Sequence, residues 1–321
     1  MLVGHLDQQR TFLDAWRAGR LHHAWLLTGP QGIGKGTFAQ AAAAYVLASA
    51  AGPAEGVASD RLDVSPEHRI AKLLAAGSHP DFRRLTRLED EKTGKVKAEI
   101  VVDQVRELQP LLHTQPSFSP WRVVIVDAAE EMRREAANAF LKSLEEPPAN
   151  TLFLLVSHAP GRLLPTIRSR CRILRFQPLA EAEVRTVLER QLSESGEVAS
   201  LAALAEGSPG RALRFAGLDI VGLTRALSEL TQGSPAQRNA RALDLAKMLA
   251  AKNAQLRYEA FLELAPAFLA QAAQGQQGAP LAKTLSLWEQ AHALSAQALP
   301  LSLDPQSVTY ELANLVAAVE G

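Results

Sequence analysis

The most constraining feature of this chain is the segment Gly29-Pro30-Gln31-Gly32-Ile33-Gly34-Lys35-Gly36-Thr37. It follows an apolar run, Ala24–Thr28, that reads as a strand, and it opens a helical pattern beginning near Lys35. Strand, glycine-rich turn and helix in that order make a phosphate-binding loop. Glycines let N–H groups turn inward around phosphate oxygens, the helix N-terminus adds positive potential, and the lysine adds a full charge. Gly29, Gly32, Gly34 and Lys35 are therefore candidate nucleotide-binding residues. The residue after the lysine is normally Ser or Thr, whose hydroxyl holds Mg²⁺. Here it is Gly36, with Thr37 one residue late. One residue rotates a side chain by about 100° around a helix, so Thr37 is not expected to substitute directly, although it stays among the candidates.

The flanking sequence has an α/β rhythm. Short apolar runs alternate with longer helical patterns, the signature of a parallel sheet flanked by helices. Candidate strands are Ala24–Thr28, Phe82–Leu85, Arg122–Asp127, Leu152–Ser157 and Ile173–Phe176. From Leu179 onward strand patterns stop, and Ala, Leu, Gln and Glu dominate an all-helical remainder. Breaks at Gly207–Gly210, Gly233–Pro235, Gly275–Pro280 and Pro300–Pro305 divide it into helices of ordinary length. In the last segment Val308, Leu312, Leu315, Val316 and Val319 fall on one face, a stripe expected to serve assembly. A length of 321 residues exceeds what one core organises. Boundaries near Pro178 and Gly217 give a core of residues 1–178, a small helical part 179–217 and an all-α part 218–321. The stretch Ala50–Arg69, rich in small and charged residues, reads as a surface insertion.

Composition limits the chemistry. Lys+Arg 34 balances Asp+Glu 34, so the chain is not built as a whole to coat nucleic acid. The single cysteine, Cys171, excludes an intrachain disulfide and a cysteine-rich zinc site. His22 and His23 lack ligand partners at regular spacing, so no metal is expected. The N-terminal stretch does not resemble a secretory signal, and no apolar run approaches the roughly 18 residues that span a bilayer. A cytoplasmic protein without membrane contact is the expectation.

Four further segments carry chemistry. Val123-Val124-Ile125-Val126-Asp127 is a buried strand ending in an acid, where phosphate-loop proteins place a carboxylate near Mg²⁺. It equally suits a strand-end acid that caps the next helix. Asn138-Ala139-Phe140-Leu141-Lys142-Ser143-Leu144-Glu145-Glu146-Pro147-Pro148 ends an amphipathic helix with apolar positions Met132, Ala136, Phe140 and Leu144, stopped by the double proline. The next strand ends at Ser157-His158, and Leu164-Pro165-Thr166-Ile167-Arg168-Ser169-Arg170-Cys171 follows. Finally, Gly207-Ser208-Pro209-Gly210-Arg211-Ala212-Leu213 joins a turn to a helix.

Taken in this order, these segments resemble the bacterial clamp-loader family of AAA+ proteins through about two-thirds of the chain. Val3-Gly4-His5 and Leu21-His22-His23-Ala24-Trp25 are similar to that family's N-termini. The resemblance implies an α/β AAA+ core, a helical lid over 179–217 and a helical collar over 218–321. It implies that Ser157 is a γ-phosphate sensor, that Arg211 touches phosphate from the lid, and that Arg170 is an arginine finger in a neighbouring subunit's ATP site. Active motor subunits of the family carry Lys-Thr or Lys-Ser, an Asp-Glu pair and a cysteine cluster. This chain has Gly36, and Ala128 after Asp127, and no cysteines in Ala50–Arg69. Glu130 sits two residues beyond the water-activating position. Finger kept and motor residues lost imply a subunit that does not hydrolyse ATP and needs no cofactor, with nucleotide binding at the loop left open. The missing cysteines imply no zinc, a departure from similar subunits, which often bind it. Implied partners are gamma/tau-type motor subunits and a delta subunit, and through the complex the sliding clamp and primer-template DNA. Two alternatives stand beside it. One is an active motor-type ATPase. The other is a nucleotide kinase, because Gly34-Lys35-Gly36-Thr37 also resembles the adenylate kinase loop.

Overall fold

The computed structural model describes residues 2–52, 55–90, 94, 96–192 and 198–319. The chain divides into two compact units, Met1–Val198 with Ala202–Ala212, and Leu213–Gly321 with Ala199–Leu201.

The first unit is built on a parallel sheet of β1 (Ala24–Thr28), β2 (Phe82–Leu85), β3 (Arg122–Asp127), β4 (Thr151–Ser157) and β5 (Arg172–Arg175), in the order β2-β3-β4-β1-β5. Every residue of β1 and β4 is buried, because helices cover both faces. Alternation sends Trp25, Leu27, Val123, Ile125, Leu152, Leu154 and Val156 to one core. Leu26, Val124, Val126, Phe153 and Leu155 enter the other. The first core receives helix Lys35–Ala51, where alanines at 39, 42, 43 and 48 let the backbone lie close to the sheet. The second receives helix Arg134–Glu145 through Ala136, Phe140 and Leu144. Met132 is buried as expected but precedes this helix and bridges to Ile100. Within the expected insertion, Val57 and Val64 form an antiparallel bridge and Leu62 is buried in the first core, while Pro53 and Ala54 lie outside the described residues.

Parallel register fixes the functional edge. Thr28 pairs with Ser157 and Asp127 with Val156, so β1, β3 and β4 end at one level. Ligands in open α/β sheets bind beyond such carboxyl ends.

The second unit is helical: Ile220–Leu230, Pro235–Leu249, Gln255–Ala273, Gly278–Ala298 and Pro305–Ala317. Its helix starts follow local chemistry. Asp219, Ser234 and Asp304 each accept a backbone N–H of the first turn, and Pro235 and Pro305 occupy first-turn positions where no N–H is missed. Val308, Leu312, Val316 and Val319 are buried. The stripe expected to serve assembly is thus spent on the unit's own packing, since neighbouring helices bury it first. Among the described residues no helix is long and apolar enough to cross a membrane.

Candidate functional site

The loop after β1 is the glycine-rich segment. Gly29 has φ 147°, and a Cβ there would stand 2.5 Å from the Phe176 carbonyl oxygen. Gly32 has φ 77°, and a Cβ there would run into the Ser208 hydroxyl. Both positions combine left-handed backbone with close approach, so a side chain is excluded twice over. Lys35 is buried at 2% exposure and donates to the carbonyls of Gly29 at 2.7 Å and Pro30 at 2.5 Å. Burial lowers its pKa to about 8, against the opposing pull of Glu130 and Asp127.

Other segments close on this loop. His5 is hydrogen-bonded through Nε2 to the Ile33 carbonyl at 2.7 Å, and its ring meets Phe176 edge-on at 4.9 Å. The Ser208 hydroxyl donates to the Gln31 carbonyl at 3.0 Å, and the Gly210 N–H donates to the Gly32 carbonyl at 2.9 Å. Arg211, a candidate phosphate contact, forms an ion pair with Glu206 at 2.8 Å.

At the strand ends, Asp127 pairs with Arg84 of β2, Nη2 to Oδ2 at 2.7 Å. Gly36 faces this acid, because a Cβ there would stand 3.0 Å from Asp127 Oδ2. Thr37 is exposed on a different face of the helix and lines a cavity of about 430 Å³ with Leu2, Gln40 and Leu62. Glu130 accepts the N–H groups of His158 at 2.7 Å and Ala159 at 3.0 Å. Burial pushes its pKa up. Hydrogen bonds from its own N–H, from His158 and from Ala159 outweigh that, and the net direction is down. Its charge thereby ties the segment after β4 in place. The buried Ser157 and half-buried His158 complete this rim. The residues do not suit a divalent ion. The lysine's neighbour has no hydroxyl, and the strand-end acid is taken by a guanidinium.

Arg170 stands apart from that group, beside the edge strand β5. Its Nη2 lies 2.6 Å from Glu145 Oε1 and its Nη1 donates to the Thr166 carbonyl at 2.9 Å. Glu145 is the last residue of its helix before Glu146-Pro147-Pro148. The two motifs are thus joined by one ion pair, with the arginine side chain 35% exposed. Cys171 is a free thiol that burial pushes up to about 12, far from reactive. His22 and His23 stack at 4.4 Å and bond the carbonyls of Ala24 and Leu144. Among the described residues no group of three His, Cys, Asp or Glu could hold a metal.

Arg84, Glu145 and Ser208 were not candidates from sequence. The consecutive arginines of Phe82-Arg83-Arg84-Leu85, inside a strand, were the available signal for the first. Glu145 was visible within its motif but its partner was not.

Buried histidines give this unit a pH dependence. His5, His23, His79 and His158 are all held below the ordinary 6.5, in each case by burial first, with His22 adding for His23 and Lys35 for His158. The unfolded chain takes up these protons near pH 6.5 where the folded unit resists them. Stability is therefore full above about pH 6.5 and falls as the pH drops through the lower folded values. Thermal melts should show a falling midpoint between about pH 7 and about pH 5; an unchanged midpoint would contradict these assignments.

The family model described as "DNA polymerase III, delta subunit" matches residues 5–180. Similar relatives are DNA polymerase III subunit delta' of Pseudomonas aeruginosa, 42% identical over 198 residues (61% of this chain and 56% of the relative), and that of Escherichia coli K12, 37% identical over 202 residues (62% and 56%). The chain thus spans about half the length of the curated relatives it matches. In fold it is similar to a DNA polymerase III gamma subunit-related protein of Thermotoga maritima, TM-score 0.52, 16% identical, covering 96% of this chain and 99% of the other. An α/β core on a parallel sheet, followed by a helical C-terminal region, accounts for both the sheet order and the likeness. The chain therefore belongs to the DNA polymerase III delta-subunit family, alongside relatives that carry the delta' name.

Proposed function

We propose that this chain is a delta'-type subunit of a DNA polymerase III clamp loader, a stator that supplies Arg170 in trans and does not itself hydrolyse ATP. What supports this reading is the occurrence, in one chain, of an altered motor loop and an arginine in a Ser-Arg-Cys turn. Gly36 and Ala128 remove the Mg²⁺ hydroxyl and the water-activating acid, Asp127 is paired with Arg84, and Glu130 is committed to the backbone of His158 and Ala159. Arg170 lies on the edge-strand side of the sheet, partly exposed and oriented by Glu145. A guanidinium so held can stabilise charge developing on a neighbour's γ-phosphate.

The division of labour follows from this. Residues 1–178 form the AAA+ core, 179–217 the lid and 218–321 the collar. Gamma/tau-type motor subunits and a delta subunit are the partners, and the sliding clamp and primed DNA are reached through the assembly. The stripe Val308–Val319 is internal, so collar contacts fall to exposed apolar residues such as Leu285, Leu299 and Leu301. Gly29, Gly32, Gly34, Lys35, Thr37, Asp127, Ser157 and Arg211 are residues of a degenerate nucleotide site. No zinc is assigned.

The test is steady-state ATP turnover by the isolated chain. Losing a water-activating acid costs about 10²-fold or more, so turnover should be indistinguishable from background and unaffected by Lys35→Ala. Turnover at motor-like rates, abolished by Lys35→Ala, would make the chain a motor subunit.

A further inference from the structure

The charge of the Arg84–Asp127 pair lies where a metal-using phosphate loop would hold its ion. β2 and β3 pair with Arg84 opposite Ile125 and Leu85 opposite Val126. That register carries the Arg84 guanidinium to the end of β3, where Nη2 meets Asp127 Oδ2 at 2.7 Å. The same carboxylate oxygen leans over Gly36. A Cβ at that position would stand 3.0 Å from Oδ2 and 4.0 Å from Arg84 Nη2. The space beside the residue after Lys35 is therefore bounded by an acid and its arginine.

We propose that Arg84 is a resident cation that takes the divalent ion's place at Asp127 and keeps metal out of the phosphate loop. A divalent ion entering there must displace the guanidinium from its carboxylate or settle beside a like charge, and at such close range that repulsion opposes binding even at a partly exposed site. It would also find no hydroxyl at position 36 to complete its oxygen ligands. The nearby acid Glu130 is held in place by the N–H groups of His158 and Ala159 on Oε1, so only its Oε2 remains to meet an ion. Gly36 and Arg84 act together in this device. Because the paired carboxylate occupies the space over the glycine, a serine there would press on Asp127 and loosen its grip on Arg84. The missing hydroxyl at position 36 and the arginine on Asp127 thus act on the same space.

The proposal deepens the non-hydrolysing reading and rests on it for the identity of the loop. The isolated chain suffices to test it, so failure to assemble with motor subunits would leave this result unaffected. Mn²⁺ is the probe, titrated alone and with ATP and followed by electron paramagnetic resonance. The proteins are the wild type, Arg84→Gln, and Arg84→Gln with Gly36→Ser, each with and without Asp127→Asn. The wild type should show no Mn²⁺ binding that Asp127→Asn removes. The double variant should gain a site at least about tenfold tighter, lost again on adding Asp127→Asn. Arg84 is 39% exposed, so these variants should melt cooperatively. If the double variant does not, the wild type against Asp127→Asn still decides. Asp127-dependent Mn²⁺ binding by the wild type overturns the proposal, as does a folded double variant that gains none.

Discussion

Arg170→Ala should leave folding and complex formation intact while cutting DNA-stimulated ATP hydrolysis by the motor subunit that neighbours this chain. Arginine fingers contribute roughly 10³–10⁵ in rate where they are the main charge stabiliser, so the one served site should fall by about that factor. Total turnover should fall only in part, because the other sites of the ring keep their own arginines. Arg170 meets Glu145 at 2.6 Å and the Thr166 carbonyl at 2.9 Å, contacts that orient a planar fork rather than a point charge. Arg170→Lys should therefore rescue poorly. The pair is partly exposed, and pairs open to solvent contribute about 0–1 kcal/mol, so Arg170→Ala should move the melting midpoint little. A variant that melts like the wild type and supports full hydrolysis would remove the finger role.

The largest stability effect should come from Phe140→Ala. Phe140 is fully buried and meets Phe153 of β4 edge-on at 5.3 Å, fixing helix Arg134–Glu145 to the sheet. Truncating a buried phenylalanine costs about 3–5 kcal/mol, through lost transfer energy and the cavity left behind. Against a domain stability of roughly 5–15 kcal/mol, that is a large share. The expected outcome is a fall in melting midpoint of about 6–20 °C, using about 2–4 °C per kcal/mol for a unit of this size. The same helix ends at Glu145, so loosening it should also weaken the hold on Arg170. A melt within about a degree of wild type would show that the helix is held by something else.

What could be read in the sequence follows from the range of the interactions involved. β1, β2 and β3 fall at the residues expected, because their limits are set by local apolar patterning and by polar ends such as Asp127. β4 and β5 each begin one residue early, at Thr151 and Arg172, polar or charged residues that a hydrophobic pattern discounts. The break between helices Pro235–Leu249 and Gln255–Ala273 carries no glycine or proline and was not expected. The stripe of the last helix was legible as a face but not as to what covers it. Motif order pointed to the glycine-rich loop, the acid-ended strand and the Ser169-Arg170-Cys171 turn as candidates. Contacts that qualify them were hidden, because Arg84 meets Asp127 through strand register and Glu145 meets Arg170 across the fold. Residue identity shows which groups a site has lost; only geometry shows what has taken their place.

The central claim is that this chain lends a finger to a neighbour's site and runs no ATP cycle of its own. The most direct measurement is DNA-stimulated ATP turnover by one reconstituted complex carrying either Lys35→Ala or Arg170→Ala in this subunit. Lys35 donates to the Gly29 and Pro30 carbonyls of its own loop, so its loss should leave turnover at the wild-type level. Arg170→Ala should lower it. The reverse pattern, Lys35→Ala crippling the complex and Arg170→Ala without effect, would contradict the account.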